Sequence, residues 1–115
     1  MYELDRNAKF FGLSERTLDL TRELSRLLRE DPKSASKSIC VKVEAAGDGI
    51  ANIRCVWEER STISATPKIA TLVAHDNGRE VVFHVPKING AEEQVFQAHK
   101  LGDLVSLLIQ QQLEM

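Results

Sequence analysis

Asn77 and Gly78 sit between two strand-like runs, Lys68–His75 and Glu80–Val85. A two-residue type I′ turn needs positive φ at both central positions, and asparagine followed by glycine meets that need with least strain. The turn sets strand register, and register decides which side chains share a face. With Asn77-Gly78 as the whole loop, Ala74 faces Val81, Leu72 faces Phe83 and Ala70 faces Val85. The small alanines leave room for a helix to lie across that face. The opposite face then pairs Val73 with Val82, Thr71 with His84 and His75 with Glu80, and is semi-polar.

An earlier stretch carries a second hairpin. Ile39, Val41, Val43 and Ala45 alternate with Cys40, Lys42 and Glu44, a period of two. Gly47-Asp48-Gly49 is a turn, and Ile50–Glu59 is the returning strand. A three-residue loop sets Val43 against Ile53, Val41 against Cys55 and Ile39 against Trp57, all apolar pairs. Trp57 therefore points into the core. The Gly-Asp-Gly turn lacks the helix and lysine of a phosphate-binding loop.

Helices flank the strands. Ser14 is a good N-cap, Glu15 suits the first turn, and Leu13, Leu20 and Leu27 recur every seven residues, widened by Leu24 and Leu28. Leu18 falls off that stripe. Asp31-Pro32 ends the helix, because a residue before proline avoids the α region. Asp103 opens a closing helix to about Leu113, whose apolar arc through Leu101, Leu104, Val105 and Leu108 is widened by Leu107 and Ile109. Between these elements, Met1–Leu13 is a lead-in carrying Tyr2, Phe10 and Phe11, and Lys33–Ser38 is a polar linker. Thr62–Ala65 extends a strand within a connection, Asn89-Gly90 marks a loop, and Glu93–His99 offers a short fifth strand.

The expected fold is α+β: one domain over residues 1–115, with an antiparallel sheet of four to five strands across 39–98. Helices at 14–30 and 103–113 pack on one face of it. At 115 residues, with 43% hydrophobic and 28% charged residues, the chain closes a single core. The net charge of −2, with lysine and arginine scattered, gives no basic face for nucleic acid. No apolar run long enough to cross a membrane and no secretory leader is visible. Two cysteines, Cys40 and Cys55, fall on opposite faces of neighbouring strands, which argues for free thiols and a cytoplasmic or nuclear setting.

No catalytic or cofactor motif emerges. The histidines His75, His84 and His99 lack a nucleophile and an orienting partner, and no zinc-ligand spacing occurs. The serines Ser34, Ser36 and Ser38 make phosphorylation of the linker chemically feasible. The expectation is a non-enzymatic module without cofactors that binds another protein chain, as a homo- or heterodimer. Candidate partner-binding residues are Val56, Val73, Val82 and His84 on the second sheet face and Leu107 and Ile109 on the closing helix. The alternative is an anion or phosphopeptide site on Lys42 and Arg54, which the first hairpin's register sets directly opposite each other.

Leu101-Gly102-Asp103-Leu104-Val105 resembles the strand, turn and helix ending of SH2 domains, and Gly49 to Arg54 has the spacing of their phosphate-binding arginine. The additional strand Ile39–Ala45 and the spacing of Val81–Val85 depart from that family. The order of helix, antiparallel strands and helix is similar to RWD-like domains, with the Gly102-Asp103-Leu104 turn in common. Neither likeness assigns the chain to a family, and both imply binding rather than catalysis.

Overall fold

The computed structural model describes residues 2–4, 13–32, 37–59, 67–86 and 93–113. Phe10, Phe11, Ser34, Ser36, Thr62–Ala65 and Asn89-Gly90 lie outside the described residues. Among the described residues the fold is α+β, with six strands in one sheet and two helices. Strand β1 is Tyr2–Leu4, β2 Lys37–Gly47, β3 Ile50–Glu59, β4 Lys68–Asp76, β5 Val81–Val85 and β6 Gln94–Gln97. Helix α1 runs Glu15–Glu30, and α2 runs Leu101–Leu113 after a 3₁₀ turn at Ala98–Lys100. The strands lie in sequence order, β1 to β6.

The sheet departs from the expected four or five antiparallel strands. The lead-in contributes β1, which pairs parallel with β2 through Tyr2 opposite Val41 and Leu4 opposite Val43. The sheet is therefore mixed, and α1 is the crossover that a parallel pair requires. Tyr2 is anchored from above, its hydroxyl 2.6 Å from Thr21 Oγ1 on α1 and its ring 5.9 Å beneath the Arg22 guanidinium.

The β2–β3 core pairs follow the expectation. Gly47 pairs with Ile50, however, so the loop is Asp48-Gly49 and not the expected three residues, and a bulge takes up the difference. Ile39 lies opposite Trp57, Val41 opposite Cys55 and Val43 opposite Ile53, with a bulge between Ala45 and Gly47. Gly49 permits the turn: its φ is +69°, and a Cβ there would stand 2.6 Å from the Asp76 carbonyl oxygen. That close approach delivers the Asp76 N–H to the Gly49 carbonyl at 2.8 Å.

The β4–β5 register departs from the expectation. Ala74 lies opposite Phe83 instead of Val81, and Asp76 lies opposite Val81, so the loop is Asn77–Glu80 rather than Asn77-Gly78 alone. His75 accordingly faces Val82, not Glu80. The cause is the pair of side chains at the loop's start. Asn77 Oδ1 accepts from the Arg79 and Glu80 N–H groups at 2.9 and 3.0 Å, and Asp76 Oδ1 accepts from the Gly78 N–H at 2.8 Å. These Asx bonds close a four-residue loop. A slip of two residues leaves every side chain on its expected face, since strand periodicity is two.

Asp76 also ties that loop to α1. Ser14 caps the helix by accepting from the Thr17 N–H at 3.1 Å and donates its own hydroxyl to Asp76 Oδ2 at 2.5 Å. Arg16 donates to Asp76 Oδ1 at 2.7 Å and to the Arg79 carbonyl at 3.1 Å. The Asp76 side chain is only 8% exposed. One carboxylate thus fixes a helix start against a hairpin end.

The core lies between the helices and one sheet face. Buried there are Ile39, Val41, Val43, Ile53, Cys55, Trp57, Leu72 and Phe83, with Leu24 and Leu28 from α1 and Leu104 and Leu108 from α2. Leu18, off the expected stripe, is buried, while Leu20 and Leu27 only flank the core. The stripe is centred instead on Leu18, Leu24 and Leu28 and includes the buried hydroxyl residues Thr17, Thr21 and Ser25. Thr21 returns its hydroxyl to the Leu18 carbonyl at 2.8 Å. The helix ends at Asp31, whose ψ of 131° is the extended geometry expected before Pro32. The closing helix begins at Leu101 rather than Asp103.

Candidate partner-binding face

The opposite sheet face carries no helix among the described residues, and its side chains are half-buried or exposed. Pairing of β3 with β4 joins the two hairpins and arranges this face in rows. Cys40, Val56 and Ile69 form one row across β2, β3 and β4. The next holds Glu3, Lys42, Arg54 and Thr71 across β1 to β4. Then come Glu44, Asn52, Val73, His84 and Val95. The last holds Ile50, His75, Val82 and Gln97.

Each expected binding residue has a definite place in this grid. Val73 and His84 are directly opposed, and Val82 is diagonal to Val73. Val56 stands apart from them, because the Arg54–Thr71 row intervenes. Two residues that pattern alone did not single out, Ile69 and Val95, are the most exposed large apolar side chains on the face, at 52% and 55%. Their positions follow from the β3–β4 and β5–β6 registers, which the loop signal at Asn89-Gly90 does not fix. Ile109 is buried at 2% and belongs to the core, and Leu107 is half-buried against it. The wide apolar arc of α2 is consumed by packing, with one side against α1 and the other against β4 and β6.

Lys42 and Arg54 are directly opposite each other, as their hairpin requires. Lys42 Nζ reaches Glu3 Oε2 only at 3.9 Å, with both side chains about half exposed. Arg54 is exposed, and its side chain makes no hydrogen bond or ion pair with any described residue. Beside the pair lies a groove of about 260 Å³, lined by Lys42, Glu44, Asn52, Arg54, Thr71 and Pro86, with Val73 alongside. No protein-family model, curated protein or solved structure matches this chain.

The remaining polar chemistry is modest. His84 Nδ1 lies 3.0 Å from Glu93 Oε1, His75 is exposed on the face, and His99 is exposed in the 3₁₀ turn. Among the described residues, no three His, Cys, Asp or Glu side chains gather as metal ligands. No described helix is long and apolar enough to cross a membrane. Both cysteines are free: Cys40 is half-buried on the open face, and Cys55 is buried on the core face. Burial, with Cys40 nearby, pushes the Cys55 thiol up to about 12, so it carries no thiolate near neutral pH.

Proposed function

We propose that this chain is a non-catalytic interaction module that binds another protein chain through the open face of its sheet. The observation that carries this reading is the face that no described helix covers. Antiparallel sheets often leave one face to solvent, but such faces alternate to polar residues. Here Val56, Ile69, Val73, Val82 and Val95 stand on the uncovered side, two of them more than half exposed. Apolar surface of this kind, framed by polar side chains, is characteristic of docking surfaces. Its aromatic content is low, so the affinity rests on shape and a few charged contacts rather than on tryptophan or tyrosine anchors. The two free thiols suit a reducing compartment, cytoplasmic or nuclear.

Ile69→Glu and Val95→Glu test this on side chains exposed enough for the fold to tolerate the change. Size-exclusion chromatography with light scattering, on the tagged chain purified from its native cells, is expected to give a particle heavier than one chain. The double glutamate variant reduces that particle to one chain. Asp19→Lys, on the solvent side of α1, leaves it intact. A wild-type chain that runs as a strict monomer, or a complex that survives both glutamates, overturns the reading.

A further inference from the structure

The Lys42–Arg54 groove has chemistry that an ordinary solvated face does not need. Like charges directly opposite across a strand pair destabilise it. The hairpin cannot escape by slipping, because the same register buries Val41 against Cys55 and Val43 against Ile53 on the other side. The fold also leaves the pair without a close ion pair: Glu3 stands at the limit of pairing with Lys42, and Glu44, diagonal to Arg54, makes no ion pair with it among the described residues. Asn52 and Thr71, on the strands flanking and carrying the groove, add neutral donors to the same lining. Neither side chain makes a hydrogen bond to a described residue.

We propose that this groove is an oxyanion seat, which takes a phosphate or carboxylate borne by a side chain of the partner. The guanidinium of Arg54 presents a planar fork suited to two oxygens, and the Lys42 ammonium supplies a second, mobile charge. Size selects the ligand: about 260 Å³ lies below the usual range for cofactor and drug-sized sites and suits a single side chain. Pro86 and Val73 provide the apolar wall for the stem of that side chain. Glu44 lines the groove as well and opposes an anion, so it moderates the affinity. The seat also argues against a second copy of this chain as the occupant. A two-fold pairing of open faces centred on this row sets Arg54 against its own copy, and like charges there repel. The occupant proposed is therefore a different chain that carries the acid.

This inference rests on the protein-binding reading for the source of the oxyanion, but the seat can be probed alone. Phenyl phosphate and benzoate serve as probes, each an oxyanion on an apolar body. In ¹⁵N NMR titrations, phenyl phosphate is expected to shift the amides of Lys42, Asn52, Arg54 and Thr71 saturably, with benzoate weaker at the same amides. Arg54→Gln and Lys42→Gln each weaken phenyl phosphate by about tenfold, and Glu44→Gln strengthens it severalfold. Raised ionic strength weakens it for every variant. Equal binding of both probes identifies a seat that takes either oxyanion, and a marked preference for phenyl phosphate a phosphate seat. Shifts that scatter over the surface without saturating, or that persist unchanged in Arg54→Gln, overturn the seat. If the seat fails while the wild-type complex still dissociates with Ile69→Glu and Val95→Glu, the protein-binding reading stands without it. If the probes bind but the chain is a strict monomer, the seat stands and the partner as its source is overturned.

Discussion

Phe83→Ala lowers the free energy of unfolding by about 3–5 kcal/mol in chemical denaturation. Phe83 is fully buried, with Ala74 beside it on β4 and Phe96 on β6. The row continues through Ala51 and Ala45, so on that side the neighbours are alanines. An alanine has no side chain to swing into the vacated space. The cavity therefore stays open, and the cavity cost adds to the lost transfer energy. Ala74→Leu alone overpacks the site beneath α2 and costs about 1–3 kcal/mol. Combined with Phe83→Ala it refills the space, and the pair is expected to couple favourably by at least about 1 kcal/mol. Strict additivity would mean that the two residues are not neighbours, and the β4–β5 register would be wrong.

Asp76→Ala costs about 2–3 kcal/mol, the range for losing hydrogen bonds to a charged group that few waters can replace. The Ser14 hydroxyl above all, then the Gly78 N–H and the Arg16 guanidinium, hold the Asp76 carboxyl below its ordinary range against the opposing effect of burial. A depressed folded pKa contributes stability above the unfolded value of about 4, and that contribution is lost as pH falls through the folded value. Urea midpoints should therefore fall on acidification from about pH 7 to about pH 3, and Asp76→Asn should lose less over the same interval. An Asp76→Asn variant with the wild-type acid slope would show that this carboxylate is not the linked group.

Those two residues also mark where the sequence was legible. The β2–β3 hairpin could be read because glycines bound its turn and a single register made every core pair apolar. In the β4–β5 hairpin, Asn77-Gly78 pointed to a tighter turn than forms. Asp76 bonds Ser14 and Arg16, which lie some sixty residues earlier, and local turn chemistry holds no record of that contact. Because the slip was even, the core residues on both strands were still correctly assigned. In α1, counting leucines gave the heptad Leu13, Leu20 and Leu27, whereas the buried centre includes Thr17, Thr21 and Ser25. Hydroxyls at core positions become readable only once their partners are known, as with Tyr2 beneath Thr21. Three residues of β1, held by a parallel partner, give too little periodicity to be seen. The Lys42–Arg54 pair was visible, since one hairpin determines it. The groove beside it was not, because Thr71 and Pro86 arrive from β4 and the end of β5.

The open face as a docking surface is tested most directly by site-specific photo-crosslinking in the native cells. A photoreactive residue is placed at Val95 or Ile69 on that face and, as a control, at Asp19 on the solvent side of α1. The two face positions should each give a discrete adduct with the same protein chain, and position 19 should give none. Absence of adducts from both face positions, or the same adduct from Asp19, would contradict a binding role for this side of the sheet.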